Sequence, residues 1–359
     1  MNKFFKNFDL LLFLCILLIA ALNLVIIFSI RPDLLAQQTI HLLLGFSLFF
    51  LLSLIDYNFF SGLKTHLYLF CLFFLLLTLF LGNITRGAIR WIQIFNFSLQ
   101  PSELTKPLLI LFFAQLGAES NLKNFKNFFF NLLLFLPLVF LVFIQPSLGN
   151  AIIFFLVWLA IILSSGVSFI IPFLGFISIL LFSPLFWYFL KDYQRQRLLS
   201  FLNPQKDPLG AGYNLIQSVI AAGSGMLLGR GLGGGTQSHL KFLPERHNDF
   251  IFASFAEEFG FLGTIILIIL YFILLLRILK IAQKTEDNNA TLICLGVFSL
   301  ILCHLFINIG MNLGLLPITG ITLPLFSSGG SSLVAIFISL GLVESISRRG
   351  KTSKTIQIS

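Results

Sequence analysis

Charge is what this chain has least of: Asp, Glu, Lys and Arg make up 10% of its 359 residues, against roughly 25% in soluble domains. That shortage excludes an ordinary water-soluble globule. It is also lopsided, with 14 acidic residues facing 23 Lys and Arg and a formal charge of +9. Cysteine is nearly as scarce. Cys15, Cys71, Cys294 and Cys303 all lie inside apolar runs without CxxC spacing, which speaks against a disulfide framework or a thiolate metal site. No H-E-x-x-H stretch is present, no carboxylate pair falls at glycosidase-like spacing, and no Ser, His and Asp fall in a triad-like order. No internal repeat or low-complexity tract stands out, and nothing in the pattern points to nucleic acid.

What the chain does have is length after length of apolar sequence. Hydrophobic residues make up 57% of it and the mean hydropathy is +0.98. Runs suited to a bilayer fall near 10–30, 38–55, 66–82, 103–117, 129–145, 149–164, 168–190, 254–280, 290–312 and 326–346. The expected fold is therefore all-α, a polytopic membrane protein of about ten transmembrane helices in a single integral domain over 1–359. The 45 Phe residues read as lipid-facing filler. The first run follows Lys3 and Lys6 without a small-residue cleavage site, so it is expected to be a retained anchor.

Basic residues of short loops set the expected orientation. With both termini in the cytoplasm, the inside holds Lys3, Lys6, Lys64, Lys123, Lys126, Arg277, Lys280, Lys284, Arg348, Arg349, Lys351 and Lys354. The short outer loops hold Arg31, Arg86 and Arg90. Between spans seven and eight lies a large extracytoplasmic loop, 191–250, carrying Lys191, Arg195, Arg197, Lys206, Arg230, Lys241 and Arg246. Long loops escape the positive-inside rule, and an anionic ligand at the outer surface gives that excess a reason. The loop is also rich in turn residues, as in "GSGMLLGRGLGGGTQS" (223–238), where glycine lets the backbone approach a phosphate. Tight turns between short surface helices are the plainer reading of the same glycines.

Charges beside apolar runs are costly, so each needs a purpose or a partner. "QPSELTK" (100–106) opens the fourth span, with Pro101 and Ser102 suited to a helix start and Glu103 and Lys106 on one face. A self-satisfied ion pair explains it locally. Arg86 and Arg90 lie close upstream at the same membrane face, which makes a substrate-binding corner the more economical reading. Glu257 and Glu258 suit the positive end of a helix dipole. Asn308 and Asn312, four apart, suit interhelical hydrogen bonds, and His304 reads as a satisfied core histidine. "PITGITLPLFSSGGSS" (317–332) is re-entrant in character and should line a cavity, since irregular backbone at membrane depth must be satisfied by protein or water.

The stretch "FLPERHNDFIF" (242–252) gathers Glu245, Arg246, His247 and Asp249 between aromatic anchors. Asp249 should stand at the outer interface, where a partly dehydrated carboxylate can work as a base. His247 with Asp249 lacks further ligands for a metal site. A lone carboxylate among cations fits a transfer reaction whose leaving group is a phosphate or pyrophosphate.

Three tracts carry a resemblance: "RGAIRWIQIFNFSLQPSELTK", the long run from "FLNPQKDPLGAGYN" through "GTQSHLKFLPERHNDFIFASFAEEFGFLG", and "NIGMNLGLLPITGITLPLFSSGGSS". They resemble the SEDS family (shape, elongation, division and sporulation), in wording its RodA branch more than its FtsW branch. The resemblance implies a ten-span bacterial inner-membrane peptidoglycan glycosyltransferase. Such an enzyme polymerises lipid II with release of undecaprenyl pyrophosphate, alongside a class B penicillin-binding protein and other elongation-machinery proteins. The family's essential aspartate falls on Asp249 and its charged pair on Glu103 and Lys106. Asp249 is then the expected general base. Arg86, Arg90, Arg230 and Arg246, with Gln217 and Ser328 from the quoted tracts, are the expected substrate contacts. A divalent cation, Mg2+ or Mn2+, is a possible companion, without a resident metal site. Two positions depart from the family's pattern: Ser147 stands where "QPDLG" has an acid, and Asn248 where a Thr is common. A lipid II flippase and a non-catalytic scaffold are the rival readings.

Overall fold

The computed structural model describes residues 7–85, 88–94, 97–145, 147–168, 170, 192–208, 210 and 212–350. The expected seventh span lies almost entirely outside these residues, as do Lys3, Lys6, Arg86 and Lys191. The long helices are α1 (Leu10–Ile30), α2 (Leu35–Leu54), α3 (Lys64–Leu81), α4 (Pro101–Glu119), α5 (Phe125–Ile144) and α6 (Leu148–Ser164). Two short helices, α7 (Asp192–Leu202) and α8 (Tyr213–Ser224), and the single turn α9 (Thr236–His239) belong to the expected large loop. The chain then continues through α10 (Ile251–Lys284), α11 (Asn288–Asn312) and α12 (Gly330–Gly350). Among the described residues, seven helical segments are long and apolar enough to cross a membrane, and α6 is a shorter apolar helix. The chain is a multi-pass membrane protein.

Helix starts follow local chemistry. Asp9 accepts the Leu12 N–H at 3.1 Å to open α1, Asn124 caps α5, and Asp287 accepts the Asn289 N–H at 3.1 Å to open α11. Pro101 occupies the first turn of α4, where its missing N–H costs nothing. A small antiparallel sheet departs from a purely helical chain: β1 (Asn83–Thr85), β2 (Ala88–Ile94) and β3 (Phe97–Leu99) pair in that order between α3 and α4. β-branched Ile and Thr and the aromatic Trp91 favour strand there.

Depth in the bundle separates the helices. Within its apolar stretch α12 is 83% buried, whereas the segment ending in α3 is 17% buried. α12 packs on α2 and α4, and α11 packs on α4, α6 and α10, so α4, α11 and α12 form the centre. The rim helices α3 and α5 turn Leu69, Phe73, Phe80, Phe129 and Phe140 outward, as lipid-facing helices do. Between α11 and α12 the backbone at 317–329 is not helical, and Ile321, Leu323, Leu325, Phe326 and Ser327 in it are buried.

Candidate active site

Irregular backbone at this depth must find partners within the protein, and it does. His304 Nδ1 donates to the Thr322 carbonyl at 3.0 Å and Asn308 Nδ2 to that of Ile321 at 2.7 Å. The Tyr271 hydroxyl donates to Pro324 O, and Asn23 Nδ2 to Phe326 O. Ser327 Oγ accepts the Leu323 N–H at 2.8 Å. Irregular backbone was expected over 317–332; it spans 317–329, with Gly330–Ser332 forming the first turn of α12, and protein side chains supply the partners named here.

The segment carrying Asp249 is tied to the same place. The Ser328 N–H donates to His247 O at 3.0 Å, Ser327 Oγ to Asn248 O at 2.7 Å, and Ser328 Oγ to the Asn248 side-chain oxygen. Asn248 Nδ2 donates to Glu245 Oε2 at 3.1 Å, so the residue standing in place of Thr is a working hydrogen-bond bridge. The Asp249 carbonyl accepts from Asn308 Nδ2 at 3.0 Å and Asn312 Nδ2 at 2.9 Å. Asn312 Oδ1 in turn accepts the Ala253 N–H at 3.0 Å, satisfying one orphan donor in the first turn of α10. Asp249 therefore sits half-buried just ahead of a helix N-terminus, its backbone clamped and its position set by two Asn side chains. Gly320, with φ +73°, faces the carboxylate: a Cβ there would stand 3.5 Å from Asp249 Oδ2.

One turn back along α11 from Asn308 lies His304, a buried histidine with both ring nitrogens satisfied, as expected, although one of its partners is a charged side chain and its surroundings are not simply apolar. Lys106 Nζ stands 2.7 Å from Glu103 Oε1 and 2.9 Å from His304 Nε2. Because His304 Nδ1 donates to a carbonyl, its Nε2 is the acceptor, so the imidazole is neutral and receives a Lys106 N–H. Lys106 is 2% exposed, and its ammonium is held from two sides instead of facing water. Thr322 and Ser332 hydroxyls lie 2.6 Å apart beside this cluster, Asn150 Nδ2 donates to Ser102 Oγ at 3.0 Å, and the Gln100 N–H donates to Ser331 Oγ at 2.9 Å. The α11 residues that contact the paired charges of α4 and the Asp249 backbone, His304 and Asn308, are thus one helical turn apart.

The remaining expected contacts are more scattered. Ser328 is in the seam, against Asn248. Arg246 is 8% exposed and donates to Ile30 O at 3.3 Å, with its Nε buried and unpartnered. Burial also pushes the neighbouring His247 imidazole below its ordinary pKa. Arg230 is exposed on the glycine loop and donates to Ser224 O at 3.2 Å. Gln217, on α8, is half-buried with Oε1 unpartnered. Arg90 lies on β2 and Arg86 lies outside the described residues. Ser147 occupies the N-cap of α6 without a capping side-chain bond. Glu257 does not stand in the first turn of its own helix, which begins at Ile251; it accepts the Gln237 and Ser238 N–H groups at 2.8 and 3.0 Å instead, capping α9. Among the described residues no group of three or more His, Cys, Asp and Glu gathers to hold a metal.

Residues 3–352 match the family model for FtsW, RodA and SpoVE, described as a cell cycle protein. Among similar proteins is the peptidoglycan glycosyltransferase MrdB of Escherichia coli K12, 40% identical over 302 residues, 83% of this chain and 81% of the relative. MrdB of Helicobacter pylori is 35% identical over 355 residues, covering 96% and 91%. Stage V sporulation protein E of Bacillus subtilis is 36% identical over 317 residues, covering 84% and 83%. A chain from a peptidoglycan synthase complex, studied for its coordination of polymerization and crosslinking, superposes with a TM-score of 0.84 at 33% identity, over 96% of this chain and 98% of that one. The rod shape determining protein RodA of Thermus thermophilus superposes with a TM-score of 0.74 at 29% identity, over 96% and 98%. Both the matched length and these identities place the whole chain, and not one motif, in a single group: it belongs to the FtsW/RodA/SpoVE, or SEDS, family.

Proposed function

We propose that this protein is a peptidoglycan glycosyltransferase of the RodA type, a single integral domain that polymerises lipid II in the bacterial inner membrane for cell elongation and shape. The observation that carries the reading is the setting of Asp249: a half-buried acid just ahead of a helix N-terminus, its backbone carbonyl held by Asn308 and Asn312, with His304 one turn back on the same helix against the buried Lys106–Glu103 pair. In the reaction, Asp249 takes the proton from the acceptor sugar's 4-hydroxyl as its oxygen bonds to the donor's anomeric carbon. The bond from that carbon to the pyrophosphate breaks, configuration inverts, and undecaprenyl pyrophosphate leaves with the negative charge. Lys106 stabilises that charge from the buried side, where a fixed cation acts through low dielectric, and its third N–H is the one a phosphate oxygen takes. Glu103 and His304 hold Lys106. Arg90, Arg86, Arg230 and Arg246 supply further positive charge, and Gln217 and Ser328 line the sugar side.

A resident Mg2+ or Mn2+ fits these residues poorly. Glu103 is taken up by Lys106, and among the described residues no group of three or more His, Cys, Asp and Glu gathers to hold an ion. The distribution of charge supports the orientation: Arg277, Lys280, Lys284, Arg348 and Arg349 lie at the end of the bundle opposite Asp249, as expected of a cytoplasmic face. Both termini then lie in the cytoplasm and the 191–250 loop outside it. A class B penicillin-binding protein is the proposed partner, the synthase-complex neighbour being the support. Reconstitution in proteoliposomes with lipid II, with and without that partner, tests the reading by scoring glycan polymer against translocated lipid. Polymer supports it; translocation without polymer replaces it with a flippase, and neither activity replaces it with a scaffold.

A further inference from the structure

α10 is broken at Gly260, whose φ of +67° and ψ of −166° interrupt the helix. A break inside a membrane helix strands backbone donors and acceptors. The glycine loop after α8 answers four of them. Arg230 and Gly231 N–H groups donate to Glu257 and Glu258 carbonyls at 3.0 Å each, and Phe261 and Leu262 N–H groups donate to Met226 and Leu227 carbonyls at 2.8 and 3.1 Å. The loop fits against α10 only because glycines make the contact: a Cβ on Gly229 would lie 2.1 Å from Glu258 O, and one on Gly260 2.2 Å from Gly229 N.

This rigidly braced loop nevertheless points large apolar side chains outward. Met226, Leu227 and Leu228 are 81%, 66% and 78% exposed, and Leu232 is also exposed. Such a cluster on a well-anchored loop calls for a cover. The lengths of two cross-linked helices place it at one level. α1 runs from Asp9, which pairs with Arg277 on α10, to Ser29, which donates to Glu258 Oε1 at 2.7 Å and accepts the Gly233 N–H at 3.1 Å. Its 21 residues span about 30 Å, the thickness of a hydrocarbon core. On α10, Glu258 to Arg277 covers about 20 residues and again about 30 Å. Gly233 and Glu258 therefore stand at the boundary of the hydrocarbon, on the Asp249 side. Met226 and Leu227 adjoin Phe261 and Leu262, exposed residues that begin the outward-facing stripe continued by Ile266, Ile269 and Phe272.

We propose that Met226, Leu227, Leu228 and Leu232 form an interfacial anchor that inserts into the lipid leaflet on the Asp249 side. The occupant is the lipid surface itself, because the patch prolongs the lipid-facing stripe of α10 at the level where that stripe meets the interface. The loop leads directly through α9 to the Asp249 segment, so the anchor sets the height of that segment above the hydrocarbon. The inference does not depend on the proposed chemistry.

The test is a nitroxide on Leu228→Cys in the full chain, in phosphatidylcholine–phosphatidylglycerol vesicles. The native cysteines are buried or half-buried, and the parent chain treated with the same label supplies the blank. A label on Phe272→Cys marks the deep lipid-facing position. Collisions with oxygen exceeding those with a water-soluble nickel chelate, at a depth within about 10 Å of the headgroups and shallower than at Phe272, are the expected result. Dominant collisions with the nickel chelate would show a water-exposed loop and overturn the proposal. An immobilised label reached by neither reagent would show a protein contact and overturn it equally.

Discussion

Two buried acid–base clusters sit at opposite ends of this bundle, and they differ in what they are attached to. At one end Asp9 accepts from Arg277 Nε at 2.9 and 2.7 Å and from the Leu12 N–H, while its own N–H donates to buried Glu344 and Ser347 Oγ donates to it. Every partner there belongs to a regular helix, and the cluster rivets α1, α10 and α12 together. At the other end, Glu103, Lys106 and His304 are fastened to irregular backbone at Thr322, and through α11 to the clamped Asp249. Chemically similar pairs thus serve stability in one place and positioning in the other.

Substitutions separate the two. Lys106→Met should have the largest effect, since it leaves Glu103 buried without its counter-charge: a loss of about 3–5 kcal/mol in stability by thermal unfolding in detergent, together with loss of polymer from lipid II in whatever protein remains folded. Asp9→Asn should lower the unfolding temperature by an amount equivalent to about 1–3 kcal/mol while the folded protein keeps its polymerisation rate. Equal loss of activity at the two ends would abolish the distinction. His304→Gln, which can still accept from Lys106 and donate to Thr322 O, should keep more activity than His304→Leu, which strands both groups at a cost of about 1–3 kcal/mol; equal rates for the two would make His304 mere packing.

The smallest effect concerns pH. Burial, with Arg31 and Arg246 adding to it and Glu245 and Asp33 opposing it, lowers the His247 pKa in the folded protein. The unfolded chain then takes up the proton first. Stability is unaffected above the ordinary histidine range and falls as pH drops below it. Between pH 7 and pH 5 the wild type should lose slightly more thermal stability than His247→Gln; an equal loss would remove His247 as the cause.

Much of this was legible along the chain, and the illegible parts share a cause. Apolar runs located the long helices to within a few residues, and the Pro, Gly and Ser of 317–332 announced irregular backbone, because both signals are local. His304 was passed over because its partner Lys106 is 198 positions away. A signal was present: 304, 308 and 312 are four apart, one polar stripe on one helix face. Gly260 gave no warning inside "EEFGFLG", since its break is stable only when the distant 226–231 loop supplies four backbone hydrogen bonds. Glu257 and Glu258 looked like dipole partners of their own helix, yet they serve the Gln237–His239 turn and Ser29.

The central claim is that Asp249 is the base, and that its role is separable from the fold. The most direct measurement compares Asp249→Asn and wild type, purified side by side, for unfolding temperature and for glycan chains made from lipid II. The account predicts closely similar melting, because Asp249→Asn keeps the backbone carbonyl that Asn308 and Asn312 hold, with polymerisation reduced by about two to four orders of magnitude. Wild-type polymer from Asp249→Asn would contradict it.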